Sequence, residues 1–265
     1  MHPLLNTAIK AARRAGSIIL RYADQLDRLD VETKGRNDFV TAVDRAAEDE
    51  ILSHIKKAYP DHAILAEESG LQEGSDYRWI IDPLDGTTNF LHGYPQYAVS
   101  IAVTHKDQLD QAVVYDPLRD ELFTASRGVG AQLNDRRIRV SQTKSMERAL
   151  LGTGFPFKAQ EHLEVWIDCF RDLIQECSGI RRAGSAALDL AHVACGRLDG
   201  FWEIGLKPWD MAAGALLIQE AGGVISDFGG GHKYLTSGNI ICANLQLHET
   251  LRARITRHLD QKLKV

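Results

Sequence analysis

The segment "WIIDPLDGTTNF" (79–90) is where residue types that do chemistry crowd together in this 265-residue chain. An apolar run enters two carboxylates, Asp82 and Asp85, and leaves through Gly86, two threonines and an asparagine. Pro83 stiffens the bend, so both carboxylates can converge on one side of a turn. The residues that follow can open a helix, whose first N–H groups lack intrahelical partners and attract anions. Carboxylates beside such a site would repel a phosphate unless cations lay between them, and that tension fits metal-dependent phosphoryl transfer. Taken alone, the segment fits an Asp-capped helix after a strand equally well.

Other carboxylates tip the balance. Glu67 and Glu68 close an apolar run at 62–66, Glu203 closes Phe201-Trp202, and Asp210 opens an apolar helix after Lys207-Pro208-Trp209. Strand ends are where an α/β protein collects its chemistry. Oxygen donors without neighbouring His or Cys suit Mg²⁺ or Mn²⁺ better than zinc. The ten histidines show no ligand spacing, and HExxH, GxSxG and GxxxxGK[ST] motifs are absent. The aspartates are three apart rather than two, which disfavours the covalent route of aspartyl-phosphate phosphatases. Gly229-Gly230-Gly231 has no strand-to-helix frame around it and reads as a tight turn.

These residues need elements to hold them. Helical spacing of Leu4, Leu5, Ala8, Ile9, Ala12, Ala15 and Ile19 predicts a first helix that weakens near Asp24. A polar loop with Lys34, Gly35, Arg36 and Asn37 follows, then a helix from about Asp44 to Pro60. Asp44 could be no more than its cap, and Lys34 a solvated charge. Short runs rich in Ile, Val, Tyr and Phe at 62–66, 79–82, 97–103, 111–115 and 121–125 read as strands, with a turn at Asn134-Asp135-Arg136-Arg137 before another. Strand after strand suits an antiparallel sheet. Beyond about residue 145 the pattern alternates: strands at 150–153, 180–182, 200–203, 224–226 and 240–243, helices at 161–176, 187–196, 211–221 and from His248. The fold class is therefore α+β or mixed α/β. It divides into 1–145, helices plus an antiparallel sheet, and 146–265, a smaller α/β half that completes the site.

Composition bounds the function. Hydrophobic residues make up 44% and the formal net charge is -5, which suits a soluble globular protein and suggests no extended basic stripe for nucleic acid. No apolar run reaches the roughly 18 residues of a membrane span. Arg13 and Arg14 interrupt any secretory signal, so a cytoplasmic setting is expected. Cys169, Cys177, Cys195 and Cys242 form no CxxC pair and read as buried reduced thiols. The tryptophans at 79, 166, 202 and 209 read as core or interface. Arg252, Arg254, Arg257, Lys262 and Lys264 read as the solvated face of a final helix.

"DPLDGTTNF" (82–90) and "WDMAAGALLIQEAGG" (209–223) resemble the paired signature motifs of inositol monophosphatases, in order and with Glu67-Glu68 upstream. The resemblance runs on through "KGRNDFVTAVD" (34–44), "TGFPF" (153–157) and "GSAALDLAHVACGRLDGFWE" (184–203), and the opening "MHPLLN" is most similar to the bacterial SuhB-type branch. It implies a layered αβαβα sugar-phosphatase fold and two to three Mg²⁺ ions, with Mn²⁺ as substitute. Glu67, Asp82 and the Leu84 carbonyl would hold the first ion. Asp82, Asp85 and Asp210 would hold the second, and Glu67 would reach a weaker third. Thr87, supported by Asp44, would orient the attacking water, and the Gly86 and Thr87 N–H groups would bind phosphate. Asp85, Ala186, Glu203 and Asp210 would meet sugar hydroxyls, and Lys34 would lie near the metal–water network. The implied activity is hydrolysis of inositol monophosphate or a related sugar phosphate by water, in a lithium-sensitive homodimer. Fructose bisphosphatase-like and phosphoadenosine phosphatase-like activities share this metal architecture. The same branch also implies a non-catalytic alternative, partnership with transcription-antitermination factors or RNA polymerase in ribosomal RNA transcription.

Overall fold

Alternation along the strands sorts the apolar residues onto opposite sides of two sheets. The computed structural model describes residues 2–24, 26, 31–35, 38–157, 159–260 and 263, with the backbone alone at 31–35 and 38–40. The first elements are α1 (Pro3–Ala23), β1 (Val31–Gly35), β2 (Asp38–Thr41), α2 (Ala42–Ala58), β3 (His62–Ala66), β4 (Gly70–Gln72), β5 (Ser75–Asp85) and α3 (Thr87–Leu91). Then come β6 (Ala98–His105), β7 (Gln108–Asp116), β8 (Glu121–Ser126), β9 (Gly130–Leu133), β10 (Arg136–Arg137), β11 (Leu150–Thr153) and α4 (Leu163–Ile174). The chain continues with β12 (Gly179–Arg181), α5 (Ala186–Ala194), β13 (Gly200–Glu203), α6 (Pro208–Glu220), β14 (Val224–Ser226), α7 (Tyr234–Ser237), β15 (Ile240–Ala243) and α8 (Leu245–Thr256).

Among the described residues the larger sheet has the order β10-β9-β8-β7-β6-β5-β3-β4, and the smaller β12-β11-β13-β15-β14. Trp79, Ile81, Val99, Ile101 and Val113 face a core shared with α1 and α2, while Ile80, Ala98, Ala102, Ala112 and Val114 face α5 and α6. Phe201 and Cys242 line the other side of that middle layer, and Trp202, Ile241 and Ala243 pack with α4 and α8. The layers therefore run αβαβα.

The larger sheet departs from the expected antiparallel arrangement at one place: β3 pairs parallel with β5. The cause is β4, which turns back along the outer side of β3 before the chain crosses to the inner side. That parallel pair brings two strand ends to one edge, with consequences for the site.

Three local expectations also change. The polar stretch around Lys34 contains the β1–β2 hairpin rather than a loop, with Arg36 and Asn37 outside the described residues. The second helix starts earlier, at Ala42, because Thr41 caps it: its hydroxyl accepts from Val43 N at 3.0 Å and Asp44 N at 3.4 Å. Two cations of the final helix are engaged rather than merely solvated. Arg252 pairs with Glu249 at 2.7 Å, and Arg254 bridges Asp172 at 2.9 Å and Glu176 at 3.1 Å; Lys262 and Lys264 lie outside the described residues. All four cysteines are free thiols, Cys169 and Cys242 buried and Cys177 and Cys195 half-buried.

The middle layer depends on close helix contact. A Cβ on Gly214 of α6 would stand 2.4 Å from Leu190 Cβ of α5, so only glycine lets the two helices approach this closely. Gly214→Val should cost about 1–3 kcal/mol through overpacking, read as a lowered urea midpoint with an unchanged slope. An unchanged midpoint would show that the layer yields at this point.

Candidate active site

The carboxylates of Asp82 and Asp85 point the same way because β5 carries a bulge. Residues three apart on a regular strand face opposite sides. Here Asp82 pairs with Ser100 but Asp85 with Ala98, so one extra residue on β5 restores a common side. Pro83, with no N–H to give the ladder, sits within this bulge. Asp82 Oδ1 accepts from Leu84 N at 3.0 Å, which tightens the turn.

Neighbouring elements bring the other acids to the same place. The parallel β3–β5 pair ends with Glu67 N donating to Ile81 O at 3.1 Å, so Glu67 stands next to Asp82. Ser100 Oγ donates to Trp209 O at 3.1 Å and ties the start of α6 to β6 opposite Asp82. Asp210, in the first turn of α6 after Pro208, accepts from Lys207 N at 2.7 Å. Ligand oxygens of Asp82, Asp85 and Asp210 consequently lie within 4.8 Å of one another.

Asp85 reaches across to the second sheet's helices. Its Oδ2 accepts from Ser185 Oγ at 2.6 Å and from Ala187 N at 2.8 Å, so it caps α5 from another part of the chain. Gly86 follows at φ 96°, where a Cβ would lie 2.8 Å from Gln96 O; both the conformation and the space require glycine. Asn89 Nδ2 donates to Gln96 O at 2.7 Å and to Ala183 O at 2.9 Å, fixing α3 against the loop before α5.

Thr87 Oγ1 lies 3.0 Å from Asp44 Oδ1 and 3.1 Å from Leu84 O. One hydroxyl hydrogen serves one of these acceptors at a time, and the oxygen keeps lone pairs for another donor. Asp44 is buried and completes the cap of α2, since its Oδ2 accepts from Thr41 N at 2.8 Å and Thr41 Oγ1 at 2.6 Å, while its Oδ1 faces Thr87. Glu48, one turn along α2, grips the loop that bears Glu67: its carboxylate accepts from Glu68 N at 2.9 Å and Ser69 N at 2.8 Å.

Asp85, Ala186, Glu203 and Asp210 line one cleft with a volume of about 120 Å³. Glu203 fits because Gly154 has no side chain; a Cβ there would fall 2.0 Å from Glu203 Oε1. Lys34 lies in β1, and its side chain is outside the described residues. Sequence reasoning passed over Glu48, Arg182, Ser185 and Asp189. Spacing offered a signal for two of them: Glu48 is one helical turn from Asp44, and Asp189 sits within an otherwise apolar helix.

The electrostatics suit a cation site. Burial, followed by the charges of Glu67, Asp85 and Asp210, pushes the Asp82 carboxyl well above the usual carboxylate range. Burial raises Asp85 to about 6, against the pull of Ser185, the Ala187 and Ala186 N–H groups and Arg182. Burial also raises Asp44, with Thr41 and Thr87 holding it down. The donors are all oxygen, closely spaced and mutually repelling, and a hard divalent ion relieves all three conditions.

An acid whose pKa is raised in the fold contributes stability below its unfolded pKa and loses it as pH climbs through the folded value. For Asp85 that loss spans the usual carboxylate value of 3.8 up to about 6. The metal-free protein should therefore carry a repulsive cluster at neutral pH that Mg²⁺ relieves. The rise in melting temperature on adding Mg²⁺ should be large near pH ~8 and shrink as pH falls below ~6, because protons compete for the ligands. A Mg²⁺ increment that stays constant over that span would remove the cation assignment.

The comparisons with known proteins agree with this geometry. A model of the inositol monophosphatase family matches residues 1–263. A Pseudomonas aeruginosa protein described as Nus factor SuhB is 56% identical over 270 residues, covering 100% of both chains. Among solved structures, extragenic suppressor protein SuhB from Bartonella henselae superposes with a TM-score of 0.95 at 43% identity, over 97% of this chain and 100% of that one. Inositol monophosphatase from Anabaena (Nostoc) gives a TM-score of 0.85 at 39% identity, over 96% of this chain and 95% of that one. The chain belongs to the inositol monophosphatase family.

Proposed function

We propose that the cleft hydrolyses the phosphate monoester of a small polyol, with inositol monophosphate as the reference substrate and Mg²⁺ as cofactor. The observation that carries this reading is the convergence of Asp82, Asp85 and Asp210 within 4.8 Å beside a cleft lined by Glu203. Glu67, Asp82 and the Leu84 carbonyl would hold one ion, and Asp82, Asp85 and Asp210 a second; Glu67 would reach a third, and Mn²⁺ could substitute. Ions in such a site neutralise phosphate charge and acidify water. Lys34 is assigned to the surrounding water network on family grounds alone.

The chain's own residues supply orientation. When Thr87 donates its hydrogen to Asp44, its oxygen can accept from a water, which turns a water lone pair toward the phosphorus. Asp44 then stands at the end of a water–Thr87–Asp44 relay. The Gly86 and Thr87 N–H groups, where α3 begins, would take phosphate oxygens. Asp85, Ala186, Glu203 and Asp210 would meet the polyol. No side chain needs to carry the phosphoryl group.

The division of the chain at residue 145 belongs to the same reading, the first part supplying most metal donors and the second completing the cleft. A homodimer, lithium inhibition and a cytoplasmic setting are extended from the family; no helix among the described residues is long and apolar enough to cross a membrane. Fructose 1,6-bisphosphate and phosphoadenosine phosphate are the competing substrates, and phosphate release from a panel of esters with Mg²⁺ ranks them. A second reading is favoured by the relatives' description as Nus factor, which suggests partnership with the transcription machinery, antitermination factors or RNA polymerase. Co-purification with RNA polymerase from cell extract tests it independently of turnover.

Thr87→Ala separates water orientation from metal retention. Turnover should drop by ~10²-fold or more, the usual loss for a positioned proton-transfer group. Stability should fall by only about 1–2 kcal/mol for the hydrogen bonds removed. Asp210→Asn should weaken Mg²⁺ binding in calorimetry as well as turnover. Wild-type turnover in the Thr87→Ala protein would end the role given to Thr87 while leaving the cation site standing.

A further inference from the structure

Asp189 is a buried carboxylate without a hydrogen-bond partner among the described residues. It is 2% exposed, lines the same cleft as Glu203 and Asp85, and makes no hydrogen bond or ion pair with any described residue through its side chain. It lies in the first turn of α5, where free backbone N–H groups would ordinarily be offered to an acid. Those donors are already taken. Ala187 N goes to Asp85, Leu188 N to Ser185 Oγ at 3.4 Å, and Asp189 N to the Ser185 carbonyl at 3.0 Å.

Its surroundings make the placement costly. Asp85 and Glu203 are both near enough to disfavour a further negative charge, and Arg182 is the cation that offsets them. Burial, then Asp85, accordingly raises the Asp189 carboxyl well above the usual range. Every neighbouring position from Ala186 to Ala191 on α5 is buried, so rotation of the helix offers no route to solvent. A buried polar group without a protein partner is unfavourable, and where a native structure keeps one facing a cleft its bonds come from a water, an ion or a ligand there.

We propose that Asp189 is a substrate-binding residue, whose carboxylate accepts hydrogen bonds from ring hydroxyls of the bound polyol phosphate alongside Glu203. This rests on the phosphatase reading and adds to it a determinant of substrate class. Two acceptor carboxylates side by side match vicinal hydroxyl groups, which donate in pairs, and disfavour a second phosphate or any other anion at that end of the cleft.

The test uses the isosteric variant Asp189→Asn and two esters of similar ring size, myo-inositol 1-phosphate and phenyl phosphate, which lacks ring hydroxyls. The ratio of kcat/KM for the inositol ester over the phenyl ester should fall about tenfold or more, the scale for losing a hydrogen bond to a charged group. The melting temperature of the substrate-free variant should stay level or rise, because the amide replaces a buried carboxyl that makes no hydrogen bond with any described residue. A residue with a structural role predicts the reverse, a lower melting temperature with the ester ratio unmoved. An unchanged ratio, a lowered melting temperature or a variant that does not fold each overturns the proposal alone. A wild-type protein inactive on both esters overturns the phosphatase reading together with it.

Discussion

Asp85 joins the two sheet systems through a single carboxylate. It leaves β5 at a bulge, crosses the cleft and caps α5 through Ser185 Oγ and Ala187 N. The same carboxylate group forms part of the three-acid cluster with Asp82 and Asp210. A helix N-terminus carries partial positive charge and unsatisfied donors, so an acid bound there is stabilised locally while it repels its acidic neighbours. The cap thus fixes the position of a group whose own environment works against its ionisation. Gly86 and Asn89 lock the turn that follows, so the geometry around Asp85 is determined on both sides.

The remaining acids follow the same pattern. Asp82 is tethered to Leu84 N, Asp44 to Thr41, Asp210 to Lys207 N, and the Glu67 loop hangs from the Glu48 carboxylate. Backbone N–H groups, joined by the Thr41 hydroxyl, provide these tethers. The N-termini of α2, α5 and α6 supply directed N–H groups and dipoles that orient Asp44, Asp85 and Asp210. Preorganisation of this kind suits phosphoryl transfer, in which positioning and electrostatics carry most of the catalysis.

Stability and function pull apart along the cleft. Burial raises Asp82, Asp85, Glu203 and Asp189 together, with like charges adding to the effect. The middle helix layer absorbs this strain by dense apolar packing, including the glycine contact at Gly214. Asp189 and Glu203 lack the hydrogen-bonded tethers that hold Asp44, Asp82 and Asp85, which leaves both free to accept from something that arrives from solvent.

Much of this was legible in the chain itself. Strand limits at 200–203, 224–226 and 240–243 follow from β-branched and aromatic runs between turn residues, and the helix facing of α1 from its apolar spacing, because these are local periodicities. The acids at strand ends and the Thr87–Asp44 pairing were expected from motif and resemblance, and the hydrogen bond between them is present at 3.0 Å. Tertiary structure decided the rest. The parallel β3–β5 pair that brings Glu67 beside Asp82 depends on which side of β3 the chain returns, a choice no local pattern encodes. The bulge that turns Asp82 and Asp85 to one side appears only in the register against β6. Glu48, Ser185 and Asp189 look like ordinary helix residues until the fold sets them against the loop, the cap and the cleft, since burial and partnership are properties of packing and not of spacing.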